Sequence, residues 1–550
     1  MTPVKSPDAS KKYNQTLIHP YHGYPNVSVF ASFRQGGLVL LQRIETFFDA
    51  IFGSAGNPWR HLGALAFYFI WIILATGIYL FIVLDTGVED IFTSINYYTH
   101  EQWWLGGILR SLHRYAADGL VLVMLLHLVR EFFYGRYYGF RWFSWITGVP
   151  LIWLVYASGI GGYWLVWDQL GQFSAIASME WFDWLPIFSD PATRNFLTPG
   201  ALTDRFFSLL VFLHIGIPLI LLLALWVHLQ RIAQADVFPS RALALGTLAT
   251  LLVIALVKPT LSHGRADLSL VPTVLNIDWF YLFIHPLMYL TSPAGLWAIA
   301  TSLTLLLLLL PLLPHPQQEP IAVVSPPDCN GCRRCFDDCP YGAITMLPHP
   351  HKPGHQLASV IPDLCASCGI CAGACPSSTP FRSIEQLVTG IDMPRQPVNA
   401  LREEMERKIA ALAGLVKIAV FGCECAAAAR HLESADTAVL NLMCTGLLPP
   451  SFVEYALRSG ADGVLITGCR KGSCAYRFGT RWTEQRLSGE REPHLRSTVP
   501  ADRLRVAWAD SHEMSCLKAS LDDFREYLQT LGADEHRPRA YTPRRIAQNG

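Results

Sequence analysis

The sequence predicts a multidomain membrane protein, in which an all-α bundle of six transmembrane helices precedes a small α+β domain and an α/β domain with a parallel sheet. The 550 residues are 51% hydrophobic and 16% charged, with a mean hydropathy of +0.28, which is too apolar for an ordinary soluble enzyme. All 14 cysteines lie at or after residue 329, so an apolar half precedes a cysteine-rich half. The 43 basic and 43 acidic residues cancel. This balance argues against nucleic acid as a partner, because phosphate binding needs a basic excess.

Six apolar runs are long enough to cross the roughly 30 Å hydrocarbon core of a membrane, which takes about 20 helical residues. The runs cover residues 62–84, 106–129, 143–166, 206–230, 242–261 and 294–313. We therefore expect an N-terminal segment over residues 1–61 and a transmembrane domain over residues 62–314. Within the N-terminal segment, residues 37–52 are amphipathic and predict a helix that lies on the membrane surface.

Charges in the loops predict the orientation of these spans. An even number of spans places both chain ends on one side, and that side carries eleven Lys and Arg residues against four on the other, which favours the cytoplasm for both ends. The cytoplasmic set is Lys5, Lys11, Lys12, Arg34, Arg43, Arg60, Arg130, Arg136, Arg141, Arg231 and Arg241, and the outer set is Arg194, Arg205, Lys258 and Arg265. The cysteine-rich half is then cytosolic, where thiols stay reduced.

Two pairs of histidines mark the interior of the bundle. His113 and His127 lie in the second span and His214 and His228 in the fourth, with thirteen residues between the members of each pair. This spacing brings each pair onto one helix face, about 21 Å apart along the axis. Two such helices side by side predict two stacked hemes, each iron held by one imidazole from each helix. The alternative is four unrelated histidines hydrogen-bonded within a bundle, although ionisable groups at membrane depth are usually functional.

The second span, LRSLHRYAADGLVLVMLLHLVREFFYGRYYG, resembles the cytochrome b family of the quinol–cytochrome c oxidoreductases and their plastoquinol homologues. The resemblance covers about residues 37–314 and implies two b-type hemes in a prokaryotic cytoplasmic membrane. It pairs His113 with His214 at the outer heme, and His127 with His228 at the heme near the cytoplasm. It also implies propionate partners at Arg110 and Arg130, and heme-packing glycines at Gly63, Gly77, Gly148 and Gly162.

The segment IDWFYLFIHPLMY (residues 277–289) resembles the Pro-Glu-Trp-Tyr element that borders the outer quinol site of this family. The resemblance gives Asp278 the place of the glutamate, which can exchange a proton with quinol, and gives Trp279 a place in the quinone pocket. Ile277 replaces the family's proline, and GYWLVWDQLGQFSAI (residues 162–176) also lacks a family proline, before Trp167. Two alternatives therefore stand, an active outer quinone site and a structural relic.

A proline-rich linker (residues 314–328) leads to two matching cysteine runs, and together they predict a domain over residues 315–395. In each run, Cys-x2-Cys-x2-Cys-x3-Cys-Pro, three thiolates wrap one corner of a [4Fe–4S] cubane and the fourth serves the other cubane. Two zinc sites are the alternative, but zinc does not call for the fourth cysteine and the proline. The domain resembles bacterial two-cluster ferredoxins over residues 321–385. The predicted ligands are Cys329, Cys332, Cys335 and Cys375 for the first cubane, and Cys365, Cys368, Cys371 and Cys339 for the second.

Residues 396–550 predict an α/β domain. The apolar runs VKIAVFGC, TAVLNLMC, DGVLITGC and RLRVAWAD alternate with helical patterns, which favours a parallel sheet. Five cysteines lie where such sheets place their sites, at the strand ends, and ordinary buried cysteines are the alternative. These five are Cys423, Cys425, Cys444, Cys469 and Cys474, whereas Cys516 lies outside the pattern and predicts a plain thiol.

The segment SGADGVLITGCRKGSCAYRFGTRWTEQR resembles the delta subunit of the methyl-viologen-reducing hydrogenase, over about residues 415–530. The resemblance implies a [2Fe–2S] cluster whose ligands map onto Cys425, Cys444, Cys469 and Cys474. The first cysteine pair of that family is Cys-x-x-Cys, whereas this chain has Cys423-x-Cys425. Either of these two cysteines can therefore be the ligand.

Together these parts predict a membrane-bound electron-transfer subunit of an oxidoreductase. Electrons would pass between a soluble cytosolic partner and the quinone pool in the order [2Fe–2S], cubanes, inner heme and outer heme, because such carriers divide two-electron quinone chemistry into single-electron steps. The candidate partners are a flavoprotein, a hydrogenase, a formate dehydrogenase or a heterodisulfide-reductase-like protein, and the cytochrome b part predicts a homodimer. One alternative is a membrane anchor and docking carrier without an active quinone site. The other is a quinol oxidase that supplies low-potential electrons and is driven by the membrane potential.

Overall fold

The computed structural model describes residues 28–187, 195–198, 200–313, 320–382 and 386–533. The charged tail with Lys5, Lys11 and Lys12, the loop residue Arg194 and residues 314–319 of the predicted linker lie outside the described residues. The N-terminal half is built of helices. Their bounds are Ser28–Gly56, Leu62–Val83, Asp90–His100, Ile108–Phe133, Trp142–Val166, Gln169–Asp183, Asp204–Leu229, Arg241–Val257, Ile284–Leu290 and Pro293–Leu309.

Helices occupy all six segments that the sequence predicts to cross the membrane. Four stretches are long and apolar enough to do so by length and composition, and they are Pro58–Val83, Gly139–Val166, Asp204–Leu229 and Pro293–Leu312. Ile108–Phe133 has the length but carries several charges, among them Arg114 and Asp118. Arg241–Val257 has only 17 residues. The described residues thus contain four candidate spans, and the other two of the six stay a prediction.

The two helices that carry the histidines each pack along a neighbour. Ile108–Phe133 packs against Leu62–Val83, and Asp204–Leu229 packs against Trp142–Val166. Ala116 is fully buried in the first of these contacts, and the Phe69 ring packs closely on Gly119. This pairing positions both histidines of each helix toward the interior of the bundle.

The first helix, Ser28–Gly56, extends beyond the predicted residues 37–52 at both ends and bends at Gly53. Its apolar side chains point outward, since Leu40, Phe47 and Ile51 are 56–63% exposed. Its carboxylates Glu45 and Asp49 are buried instead. An apolar outer face suits contact with a membrane surface, and the polar face contacts the rest of the protein.

Two short antiparallel sheets and two short helices form the domain that carries the cysteine runs. Val323–Val324 pairs with Ile391–Asp392, and Ile344–Pro348 pairs with Gln356–Val360. The helices Arg334–Asp338 and Ile370–Ala374 each lie within one cysteine run. Gly369 precedes the second helix with a φ of +77°, and a Cβ there would lie 2.6 Å from the Leu447 side chain. Only glycine suits both this backbone conformation and this close contact.

A sheet of four parallel strands forms the C-terminal domain, which confirms the predicted parallel sheet. From one edge to the other the strands are Thr437–Leu442, Ile418–Cys423, Gly463–Gly468 and Leu504–Trp508. The helices of this domain are Val398–Ala410, Ser451–Arg458, Gly479–Ser488 and Met514–Ala533. The two central strands are buried along their whole length, because helices cover both faces of such a sheet. The strand ends therefore carry the cysteines to one edge.

Candidate redox sites

The outer pair of histidines faces each other across the bundle. The ring centroids of His113 and His214 lie 6.4 Å apart. A bond between a metal and an imidazole nitrogen is about 2 Å long, as it is for zinc, so two such bonds and the two ring radii fit this separation. The pair therefore has the geometry to hold one iron between the rings, as the predicted outer heme requires.

Contacts at Nδ1 orient both of these rings. His113 Nδ1 lies 3.0 Å from the Ile73 carbonyl oxygen and 3.1 Å from Thr76 Oγ1. His214 Nδ1 lies 3.0 Å from the Ser158 carbonyl oxygen. A ring that donates to a carbonyl from Nδ1 has an unprotonated Nε2, which is the atom that a metal takes. The surroundings of the outer pair thus select the tautomer that ligates iron.

The inner pair meets side chains at the same ring atom. His228 Nδ1 lies 3.2 Å from Thr147 Oγ1, and His127 Nδ1 lies 4.0 Å from Glu131 Oε1. Glu131 also pairs with Arg136 at 2.9 Å. Carboxylates and hydroxyls beyond Nδ1 are common supports of metal-binding histidines.

The four predicted packing glycines each face one histidine ring. A Cβ added at Gly77 or Gly162 would lie 3.1 or 3.0 Å from Cε1 of a ring, and one added at Gly63 or Gly148 would lie 3.5 or 3.3 Å away. The rings they face are, in that order, those of His113, His214, His127 and His228. A larger side chain would press on the ring, so these positions keep the space that a heme ligand needs. Their role in heme packing itself stays a prediction.

The two predicted propionate partners are buried arginines. Arg110 donates to Thr99 Oγ1 at 2.7 Å and to Ser262 Oγ at 2.9 Å. Arg130 donates from Nε to Glu45 Oε1 at 2.7 Å, while its Nη2 is buried without a hydrogen-bond partner among the described residues. A buried donor without an acceptor is costly, so Arg130 Nη2 fits the carboxylate of a heme propionate.

Asp278 belongs to a compact polar cluster beside the outer end of the helix that carries His113 and His127. Arg114 Nη2 lies 2.8 Å from Asp278 Oδ2, and Arg114 Nη1 lies 2.9 Å from Asp118 Oδ1. The Tyr163 hydroxyl donates a short hydrogen bond to Asp278 Oδ2. Trp279, which the sequence assigns to the quinone pocket, is 69% exposed, so the structure places its side chain at the protein surface.

The cysteines predicted to hold the first cubane come together. Burial and the neighbouring thiols of Cys375, Cys332 and Cys329 raise the pKa of Cys335 to about 12. Cys375 belongs to the other run in the sequence, so the fold brings it across to the first three. This is the exchange of fourth ligands that the spacing predicts.

The second set assembles in the same way. Burial and the thiols of Cys368, Cys339 and Cys365 raise the pKa of Cys371 well above its ordinary value. Cys339 belongs to the first run in the sequence, so this set also takes one member from the other run.

The third set of cysteines lies at one edge of the C-terminal sheet. The Cys423 thiol donates to the Met443 carbonyl at 3.8 Å, and the Cys469 thiol donates to the Cys425 carbonyl at 3.5 Å. Both Cys423 and Cys425 therefore belong to this set. Cys516, predicted as a plain thiol, is exposed on another helix.

A glycine makes room for the other half of this third set. A Cβ added at Gly479 would lie 2.1 Å from Cys444 Sγ and 3.3 Å from Cys474 Sγ. The hydrogen bond with Cys474 and burial raise the pKa of Cys444 well above its ordinary value. The same hydrogen bond lowers the pKa of Cys474 to about 7, so Cys474 ionises more readily than its neighbour.

The second and third cysteine sets are neighbours. Cys368 and Cys444 pack in one buried cluster with Phe478 and Trp482. A Cβ added at Gly446 would lie 2.7 Å from the Ile370 side chain, so the two loops are in close contact. The fold therefore aligns the first, second and third cysteine sets in that order.

Three family models match this chain one after another. Residues 49–236 match cytochrome b/b6/petB, residues 328–379 match the 4Fe-4S dicluster domain, and residues 417–532 match the delta subunit of the methyl-viologen-reducing hydrogenase. All three predicted domains are present. A chain of a hyperthermophilic respiratory Complex III is similar in structure, with a TM-score of 0.40 and 20% sequence identity over 50% of this chain and 81% of that chain.

A buried arginine of the cytochrome b domain meets the delta-subunit domain. The Arg60 side chain is 0% exposed and contacts Asp49 at 2.5 Å, Glu45 at 3.4 Å and Asp510 at 3.5 Å. A Cβ added at Gly472 would lie 2.9 Å from Arg60 Cδ. The loop between two cysteines of the third set therefore rests on the start of the first span.

This contact continues toward both redox regions. Asp510 accepts a hydrogen bond of 2.5 Å from Ser473, the residue before Cys474. On the other side, Glu45 accepts from Arg130, the predicted partner of the inner heme. We call this chain of contacts, Ser473, Asp510, Arg60, Glu45 and Arg130, the docking network.

A second contact joins all three domains. Arg477 donates to the carbonyl oxygens of Ala233 at 2.6 Å and Pro340 at 2.9 Å, one in the cytochrome b domain and one in the dicluster domain. Tyr341 packs on Phe140 with ring centroids 4.4 Å apart. The loop that follows the first cysteine run therefore also reaches the cytochrome b domain.

Neither the docking network nor the partners of Asp278 are predicted from the sequence. Arg60 appears there only as one of several loop charges, and Arg114 and Asp118 only as residues inside a span. Charges within an otherwise apolar helix were the available signal, because such groups usually mark functional sites. Their partners are distant in the chain, and no spacing indicates them.

Proposed function

We propose that this protein is a membrane-bound electron-transfer subunit, which passes electrons between a cytosolic redox partner and the quinone pool. The observation that carries the proposal is the geometry of the outer histidine pair, His113 and His214, whose rings face each other with Nε2 free. The cysteine sets of the dicluster and delta-subunit domains, packed against one end of the same bundle, support a route to the cytosol. Several redox groups in one chain suit electron transfer better than a single chemical reaction.

We assign a b-type heme to each histidine pair, a [4Fe–4S] cubane to each dicluster set and a [2Fe–2S] cluster to the third set. When bound, these groups would supply one-electron chemistry. The chain supplies the axial imidazoles and the thiolates, and Arg110 and Arg130 neutralise propionates. The contact between Arg60 and Gly472 favours a third set close to the cytochrome b domain, and not at the entrance expected from the sequence. The contact between Tyr341 and Phe140 likewise favours a second cubane close to that domain.

We further propose six spans, with both chain ends and the iron–sulfur domains in the cytoplasm of a prokaryotic cell. Arg136 and Arg141, two of the charges that predict the cytoplasmic side, lie at the end of the bundle where Tyr341 packs. The homodimer and the soluble partner, a flavoprotein, hydrogenase, formate dehydrogenase or heterodisulfide-reductase-like protein, stay predictions from the family resemblances.

One competing function is a membrane anchor whose outer pocket does not use quinone. The pairing of Asp278 with Arg114 favours it, because the guanidinium already occupies the carboxylate that would otherwise face quinone. The other competing function is quinol oxidation that supplies low-potential electrons under the membrane potential. All three share the same carriers and differ at the quinone site and in direction.

Visible spectra of the purified protein in lipid nanodiscs test the proposal. We expect bis-histidine heme bands that quinol reduces and that shift when a quinone-site inhibitor binds. His214→Ala should remove one of the two hemes, whereas His100→Ala, on an outer helix, should keep both. If quinol does not reduce the hemes and the inhibitor does not shift their bands, the proposal fails and the anchor function is the one supported. Cluster reduction by quinol only under an imposed membrane potential would favour the third function.

A further inference from the structure

Arg114 holds two carboxylates at once inside the bundle. It contacts Asp118 at 2.9 Å and Asp278 at 2.8 Å, and their side chains are 14% and 4% exposed. We call these three residues the carboxylate triad. Two ionised carboxylates and one guanidinium carry a net charge of −1, whereas a single added proton makes the triad neutral.

The groups that face the triad from other segments of the chain are phenols. Tyr163 donates a hydrogen bond to Asp278. Its ring lies under the Arg114 guanidinium, with Arg114 Cζ 4.7 Å from the ring centroid. Tyr281 donates to the Ala117 carbonyl at 2.9 Å, and Tyr156 packs on Tyr281. None of these three tyrosines carries a charge near neutral pH, so they do not balance the excess negative charge.

We propose that Asp118 and Asp278 share one exchangeable proton across Arg114, and that Asp118 is the second proton-exchanging residue of the outer quinone site. The inference rests on the proposed function. A buried net charge is costly in a low-dielectric region, and one bound proton removes it. Arg114 contacts both carboxylates, so the proton can reside on either one while the other stays paired.

The shared proton allows Asp278 to exchange a proton with quinone although Arg114 pairs with this carboxylate. In quinone reduction, the O–H bond of the protonated carboxyl breaks and an O–H bond forms on a quinone oxygen, while the electrons come from the carriers of the proposed function. The triad then changes from neutral to −1 and Arg114 pairs with two carboxylates. Water supplies the second proton and restores the first. Quinol oxidation runs the same steps in reverse.

Infrared difference spectroscopy of the full-length protein, without added quinone, tests the shared proton. We expect a carbonyl band of a protonated carboxyl that shifts in deuterated water. Asp118→Asn and Asp278→Asn should each remove it, because the remaining carboxylate then pairs one to one with Arg114. Arg114→Gln should roughly double the band, because both carboxyls then bind a proton. Asp267→Asn, an exposed aspartate of the outer side, is the matched control and should leave the band unchanged.

The same variants give a kinetic readout. We expect Asp118→Asn to slow quinol-driven heme reduction at least tenfold and to change its pH profile, while its heme spectrum shows an intact bundle. A wild-type protein without the carboxyl band, or a band that survives in both Asn variants, overturns the shared proton. A wild-type pH profile in Asp118→Asn overturns the role of Asp118. If the wild-type protein does not react with quinol, the proposed function fails, and the infrared band still decides whether the proton is shared.

Discussion

Removal of Arg60 should undock the delta-subunit domain from the cytochrome b domain. Arg60 is fully buried between Asp49, Glu45 and Asp510, so Arg60→Gln leaves their buried negative charge without its main counterion. Breaking a buried ion pair in this way costs about 3–5 kcal/mol. At about 1.4 kcal/mol per factor of ten, the undocked population should rise about 100- to 4,000-fold.

Hydrogen exchange measured by mass spectrometry on the full-length protein reports this population, because amides at the contact exchange when it opens. We expect residues 469–477 and the helix Ser28–Gly56 to exchange faster in Arg60→Gln. Arg525→Gln is the matched control, since Arg525 pairs with Asp436 at 2.9 Å and its side chain is 25% exposed. Loss of such a partly exposed pair costs at most about 1 kcal/mol. Equal exchange at the contact in both variants would refute the reasoning.

Three further predictions concern a heme, the third cysteine set and a surface carboxylate. Gly162→Val should lower the heme content from two to one in a hemochrome assay, because a Cβ at Gly162 lies 3.0 Å from His214, whereas Gly161→Val, with no atom within 4 Å of its added Cβ, should keep both hemes. Gly479→Ala should lower the iron content and remove the signal of the third site, since its Cβ would lie 2.1 Å from Cys444 Sγ. An unchanged iron content would contradict the assignment. Burial raises the pKa of Asp436, but hydrogen bonds from Ser434 and Thr437 and the nearby Arg525 outweigh it, so the pKa is lowered. The stability from a carboxylate with a lowered pKa is present above its unfolded value, about 4, and is lost as the pH falls through the folded value. Asp436→Asn should therefore lower the Tm by an amount equivalent to at most about 1 kcal/mol at pH 7, and the difference should vanish in acid.

The sequence predicts the ligand sets of the candidate sites because they repeat along the chain. A fixed interval between His113 and His127 selects one helix face, and it recurs in the fourth span. The two cysteine runs likewise predict that Cys375 crosses to the first set. Such features depend on local geometry, which the order of residues determines directly.

Contacts between distant segments cannot be predicted from such repeats. Arg60 meets Asp510, and Arg114 meets Asp278, through helix packing and domain docking that no periodicity encodes. The position of the third cysteine set depends on those contacts, so the order of carriers expected from the sequence does not follow from motifs. The prediction of six spans relied on apolar length alone, and the charges of Ile108–Phe133 serve contacts that only the fold reveals.

The polar face of the helix Ser28–Gly56 is completed by residues of the delta-subunit domain. Thr46 contacts His512 across 466 residues, and Gln42 accepts from Ser511 across 469. Until residues 510–512 leave the ribosome, Gln42 and Thr46 lack these partners. The apolar face of Ser28–Gly56 can already meet lipid at that stage. A chain truncated before the delta-subunit domain would therefore expose Gln42 and Thr46 on the polar face. Completion of this polar face therefore waits until the delta-subunit domain has been synthesised.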